Sequence, residues 1–320
     1  MSKPKVHHYV PQFLLNEFVT GSRKQLHAFD KQTARTFLTG VDRAAAESGF
    51  NDVDLDSGAW AEDAFGVLED DAAPVFKRIV SEQRLGGLTQ REREVVAIFV
   101  ATQHLRTRNF REMLHGMNAR MADMFRGLGL DPSEDVEGFR ELHPSEIPLA
   151  SLRLLGLVRE LAPMLLGKTW ALVENRTDQP FYVSDNPVAM ENHTGGGVGL
   201  GVPGVEVSMP LSGSLMLSML WPGYEHHARR LLRRARRLGP LRPLLAHRLW
   251  PELPDATGFV AALDGDSPTQ ATADDVRRYN ALRVFYANRY VYSGQDDVGL
   301  VRDMLQARPE LRSGPRLEIG

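Results

Sequence analysis

The chain has 320 residues, 42% of them hydrophobic and 25% charged, with a net charge of −3. That is the make-up of a soluble globular protein with material for a sizeable core, and as a whole it does not mark a nucleic-acid binder. No cysteine is present, which excludes disulfides, thiolate zinc sites, iron–sulfur clusters and a cysteine nucleophile, and fits a cytoplasmic protein.

The N-terminal MSKPKVHHYVPQF has no apolar run long enough for a signal peptide. Val6, His8 and Val10 alternate with His7 and Tyr9, as on a short strand, and Pro11 suits the first turn of a helix faced by Leu14, Leu15 and Phe18. Neighbouring side chains on a strand point to opposite faces, so His7 and His8 cannot chelate one metal together. The alternation makes His8 the inward one. It is either a ligand or base, or a histidine that holds the strand–helix junction by hydrogen bonds. Residues 25–38 read as a hairpin turning at Asp30-Lys31-Gln32-Thr33, and residues 43–56 as irregular.

From Gly58 the spacing of Trp60, Ala64, Val67, Leu68, Phe76, Ile79 and Val80 is helical, with Pro74 as a break. Glu62 and Glu69 share a face of this helix and could hold a divalent ion, although such pairs are more often a solvated face. Thr89-Gln90-Arg91-Glu92 is a capping box. The helix it opens would run to Gly127 or Gly129, long enough to kink near Asn109. In it Gln103, Arg106 and Thr107 lie together beside the apolar Val96, Phe99 and Val100. A buried arginine there needs a carboxylate or an anionic ligand. A further helix is expected over residues 147–167. Arg153, Arg159, Glu160 and Lys168 interrupt residues 147–173, so this is no membrane span.

Beyond Lys168 the pattern changes. Residues 169–174 and 181–184 read as strands around a turn at 175–179, and residues 205–209 and 214–220 as a second hairpin. Gly195 to Gly204 reads as a mobile loop. Asp185, at a strand end before Asn186-Pro187, is placed either as a metal ligand or catalytic acid or as an Asx-turn residue. Helices follow at 226–238, 272–288 and 296–307. The first carries six arginines, among them Arg229, Arg230, Arg233, Arg234 and Arg237, opposite a stripe of Leu231, Leu232, Ala235 and Leu238. It could track phosphates, although no aromatic residues interleave for base stacking. HExxH, a Walker loop, a GxGxxG in strand–helix context and a GxSxG elbow are all missing. The fold class is α+β: a mainly helical first half (1–167) and a small antiparallel sheet with helices in the second (168–320), read as one domain, with the N-terminal hairpin able to join the sheet.

HHYVPQFLLNEF resembles the opening of a bacterial family filed as domain of unknown function 4238, whose members start HHYVPQFYLRNF or similar. Gln103-x-x-Arg106-Thr107, Trp170, residues 184–188, Pro210-Leu211-Ser212 and Asn280 follow in that family's order over most of the chain. Leu14, Asn16-Glu17 and Arg108 depart from it. The resemblance implies a shared polar set but names no reaction. Read from the residues, with Glu69 outside the resembling motifs, the polar set is His8, Gln12, Glu69, Gln103, Arg106 and Asp185. Converging in one place, it would suit metal-assisted hydrolysis of a phosphate ester, nucleic acid included. His8, Glu69 and Asp185 would ligate a divalent ion and Arg106 would stabilise the anionic transition state. One rival is a non-enzymatic protein whose polar set is structural and whose arginine helix binds nucleic acid or an acidic partner. Another is a small-anion sensor.

Overall fold

The computed structural model describes residues 6–19, 21, 24–48, 50, 57–239, 245, 248–250 and 252–314. Residues 51–56 and the side chains of residues 57–61, Trp60 included, lie outside the described residues.

Strand β1 (Val6–His8) pairs antiparallel with β4 (Ala46–Ser48), a strand inside the stretch expected to be irregular. The chain then bends at Tyr9 and Val10 and enters the short helix α1 (Gln12–Leu15). That bend corrects the phase expected for the two histidines. Val10 lies past the end of the strand, so it does not report the strand's inner face. His7 is the buried one, and His8 is half-buried.

The expected first hairpin is β2 (Gln25–Asp30) and β3 (Arg35–Gly40), turning where Asp30 Oδ1 accepts the N–H of Gln32 (2.9 Å). It joins a four-stranded antiparallel sheet in the order β3–β2–β11–β6, where β6 is Val183–Ser184 and β11 is Tyr290–Ser293. A second sheet has the order β10–β5–β9–β8–β7, built from Thr269–Gln270, Thr169–Glu174, Leu215–Leu220, Val205–Ser212 and Ala189–Asn192. So β5 and β6, expected as one hairpin, belong to different sheets. The chain is α+β, with the second-half strands divided between two sheets.

Three helical expectations need correction. Helix α2 (Ser57–Glu82) runs through Pro74 unbroken. Pro74 and Asp70 are both exposed, so water can satisfy the carbonyl that the missing N–H leaves free. The long helix divides at Arg106, before Asn109, into α3 (Gln90–Leu105) and α4 (Arg108–Gly127). Thr107 restarts it, its hydroxyl accepting the N–H of Phe110. The helix expected over 147–167 is α5 (Ile147–Arg153), a 3-10 turn (Leu154–Leu157) and α6 (Val158–Leu166). Later in the chain come α7 (Tyr224–Arg236), α8 (Leu253–Asp264), α9 (Ala273–Tyr286) and α10 (Gly299–Ala307). No described helix is long and apolar enough to cross a membrane.

The five-stranded sheet is covered on both faces. On β8, Val205, Val207, Met209 and Leu211 point into the largest core, against Val75, Phe76, Ile79, Phe99 and Leu165 of α2, α3 and α6. Each such side chain contributes about 2 kcal/mol on burial. The alternate positions, Glu206 and Ser208, face the other side. There α7 and α8 pack on Ala171 and Leu220 through Ala228, Leu231, Ala256 and Phe259. Val276 and Tyr279 of α9 pack on Val173 and Met216. Between α8 and α9 this second layer leaves a gap over the sheet, and Glu206 lies at its floor.

Candidate functional site

The polar set singled out from the sequence meets in part. His8, Gln12 and Glu69 line one small cleft of about 260 Å³ together with Phe13, Asp70 and Ala73. His8 Nε2 lies 3.2 Å from the carbonyl of Asp42 and 3.4 Å from the amide nitrogen of Gln12. Behind the cleft runs a chain of hydrogen bonds. Gln103 donates to the carbonyl of Tyr9, Arg106 Nε donates to Gln103 Oε1 (3.0 Å), and Arg106 Nη1 donates to Glu69 Oε1 (2.7 Å). The side chain of Arg106 is 3% exposed, with the Phe65 ring 5.0 Å from its guanidinium. Its carboxylate partner, anticipated as one of two answers, is Glu69. Arg106 thus occupies one oxygen of the Glu69 carboxylate.

Asp185 does not line this cleft. Its carboxylate is buried and accepts the backbone N–H of Asn288 (2.8 Å), Arg289 (2.7 Å) and Tyr290 (2.8 Å), so it fixes the entry of the chain into β11. Burial pushes its carboxyl up from the ordinary value, against the pull of those three donors and of Lys31. Among the described residues, His8, Glu69 and Asp185 do not come together as a metal-ligand group. Asn280 is likewise occupied: it accepts the N–H of Tyr182 and donates to the carbonyl of Pro180.

On α7, Arg229 is tied to Glu225 (2.7 Å) and Asp264 (2.6 Å). Arg230, Arg233, Arg234 and Arg237 stand exposed, as expected of this helix.

The larger site comes from residues that the sequence reading passed over. The gap between α8 and α9 is a cavity of about 810 Å³, within the range of small-molecule sites. At its floor Glu206 is 3% exposed. Its Oε1 accepts from Ser218 Oγ and from the Tyr279 hydroxyl, both at 2.7 Å, and its Oε2 lies 2.7 Å from His193 Nε2. Arg278 Nη1 stands 3.6 Å away and also bonds Glu191, the cross-strand partner of Glu206 on β7. The arginine thus relieves a like-charge pair that would otherwise destabilise the strands. Burial alone would raise the Glu206 carboxyl. The His193 bond, the Arg278 charge and the two hydroxyl donors outweigh it and hold the carboxyl at about 2.

An ionised carboxylate only accepts, so His193 Nε2 carries the proton that it shares with Glu206. In the neutral ring the lone pair is then on Nδ1. His193 itself is set by its backbone, whose N–H bonds the carbonyl of Gly204 (3.0 Å). Gly204 has φ +80° and is crowded by Asn192 and Thr194, a place where a side chain would not fit. One wall is aromatic: Trp221 lies 5.6 Å from the His193 ring, and Tyr224 packs edge-on between Trp221 (4.7 Å) and Phe259 (4.8 Å).

A signal for this site was present in VEVSMPLS. A strand with Val, Val, Met and Leu on one face has Glu and Ser on the other, and a strand covered on both sides must then bury that glutamate. The partners of Glu206 come from four other elements, and no local pattern joins them.

No curated protein and no solved structure matches the chain. A family model does match, over residues 6–297, and its description is "Protein of unknown function (DUF4238)". The chain therefore belongs to the DUF4238 family, as the HHYVPQF opening and the Gln103-x-x-Arg106-Thr107 segment led one to expect.

Proposed function

We propose that the chain is an enzyme of the acid–base type, with hydrolysis as its reaction class, acting on a small molecule in the Glu206 cavity. The observation that carries this is the buried, ionised Glu206 bonded to His193 Nε2 at 2.7 Å. A carboxylate so placed fixes the imidazole tautomer and stabilises the imidazolium that forms when Nδ1 takes a proton. His193 is exposed at the cavity mouth, where it can activate water and return the proton to a leaving group. The phosphate ester expected from the sequence suits this cavity poorly, because Glu206, Asp255 and Asp275 line it against the single arginine Arg278. A metal-assisted variant of the reaction has one supporting observation: ligand atoms of Glu191, His193 and Glu206 lie within 4.8 Å of one another. The positive charge of Arg278 beside them opposes a cation there. The reading takes residues 1–320 as one domain, which the core shared by α2, α3, α6 and the five-stranded sheet supports. It also takes a cytoplasmic location, which the cysteine-free sequence fits.

The test is a hydrolase panel of esters, amides and phosphate esters run on wild type, His193→Ala and Glu206→Gln. The expected result is a turnover that both substitutions lower by about 100-fold or more, with the fold retained. Turnover indifferent to both substitutions, or no turnover across the panel, counts against the proposal.

A second, non-enzymatic reading has its own support. The Gln103–Arg106–Glu69 chain is largely satisfied within the protein, as a structural network would be. The exposed arginines of α7 would then be the working surface. Retention on duplex DNA that falls steeply with salt, and disappears in the combined variant Arg233→Glu, Arg234→Glu and Arg237→Glu, is the outcome that favours it.

A further inference from the structure

We infer that the cavity between α8 and α9 takes an organic cation, an amine or quaternary ammonium group, held between Trp221, Tyr224 and the carboxylate of Asp255. This rests on the reading of the Glu206 cavity as the site and names its ligand class. Three observations carry it. The lining has three carboxylates, Glu206, Asp255 and Asp275, and its single arginine is already engaged by Glu191 and stands beside Glu206. An anion entering there would meet unbalanced negative charge, and a cation would be drawn in. Second, Trp221 and Tyr224 line the cavity half-exposed, their rings set edge-on to each other at 4.7 Å. Two half-exposed aromatic rings at an angle give a cation an aromatic wall to lie against. Third, Asp255 is exposed, in the first turn of α8, and its charge, like that of Glu206, reaches Tyr224. Burial, with both carboxylates, pushes the Tyr224 phenol up, so the ring stays neutral.

The division of labour follows from the geometry. Glu206 is saturated by Ser218, Tyr279 and His193 and serves the floor. Asp275 caps α9 by accepting from the N–H and hydroxyl of Thr272. The Asp255 carboxylate makes no hydrogen bond or ion pair among the described residues, which leaves its charge free for a ligand.

The test is binding without turnover, read at the Trp221 indole N–H by proton–nitrogen NMR, the signal being assigned with Trp221→Phe. The probes are benzyltrimethylammonium and spermidine, with benzyl alcohol, benzoate and zinc ion alone as comparisons. Both cations are expected to shift the Trp221 signal saturably. Trp221→Ala, followed through a Tyr224 ring signal, should weaken them by about tenfold, and Asp255→Asn by about threefold or more. Benzyl alcohol or benzoate binding as well as the cations would overturn the ligand class while leaving the cavity as the site. Zinc alone shifting Trp221, with neither organic cation doing so, would overturn it in favour of a metal at Glu191, His193 and Glu206. No saturable shift with any probe would overturn both the ligand class and the site. Cation binding without any His193-dependent hydrolysis would support the inference and count against the catalytic reading alone.

Discussion

Asp185→Ala should destabilise the protein by about 4 kcal/mol, since it removes the carboxylate that accepts three backbone N–H groups, each of which costs about 1–3 kcal/mol when buried and unpaired. The three donors, on Asn288, Arg289 and Tyr290, lead the chain from the end of α9 into β11, the central strand that pairs with both β2 and β6. Losing their acceptor frees the junction that orders the four-stranded sheet. Asp185→Asn keeps one oxygen but turns an N–H₂ group toward the backbone donors, so it should fall between wild type and the alanine variant. Urea unfolding of the three proteins checks this. A loss below about 1 kcal/mol for Asp185→Ala, together with lost turnover, would return Asp185 to the catalytic role expected of it from the sequence.

The second large effect is on pH dependence. The Glu206 carboxyl is held at about 2, against an ordinary value of 4.5. A depressed carboxylate contributes stability that is fully present above its unfolded value and is lost as pH falls through the folded one. The window therefore runs from about pH 4.5 down to about 2, and the contribution at neutral pH is about 3 kcal/mol. Glu206→Gln should be less stable than wild type by about that amount at pH 6, with the gap closing toward pH 2. Comparing the two proteins cancels the other carboxylates. Paired denaturant titrations at pH 6, 4 and 3 measure it, and a gap that stays constant would mean that Glu206 is not held ionised by its neighbours.

The sequence disclosed what is local. The turn at residues 30–33, the Thr89–Glu92 cap and the β8–β9 hairpin are each written in a few adjacent residues, and each is found. His8, Gln12 and Glu69 were singled out in separate segments and grouped by residue type, and they share a cleft. What failed depended on distance along the chain. β6 finds β11 more than a hundred residues later, so no turn signal could show that β5 and β6 part company. The Glu206 site draws on β7, β8, β9, α9 and the loop that holds His193. Only the alternation inside β8 hinted at it. Asp185 stayed open between two readings for a different reason: a carboxylate at a strand end looks the same whether it binds a ligand or three backbone N–H groups, and only the partner segment decides.

Helix α9 carries four unrelated duties on adjacent turns. Tyr279 serves Glu206, and Asn280 bridges to Tyr182 and Pro180. Arg283 clamps Pro187 and Ser208, and the Tyr286 hydroxyl bonds the carbonyl of Met190 at 2.9 Å. Each attachment can be lost alone by substitution. A single inserted or deleted residue after Tyr279 is different, because it turns everything beyond it by about 100° and moves Asn280, Arg283 and Tyr286 off their partners at once. Drift in this stretch is therefore confined to residue type. Its length is fixed by geometry, and relatives that keep the cavity should keep the count of residues between Arg278 and Tyr286 while varying what lies between the anchors.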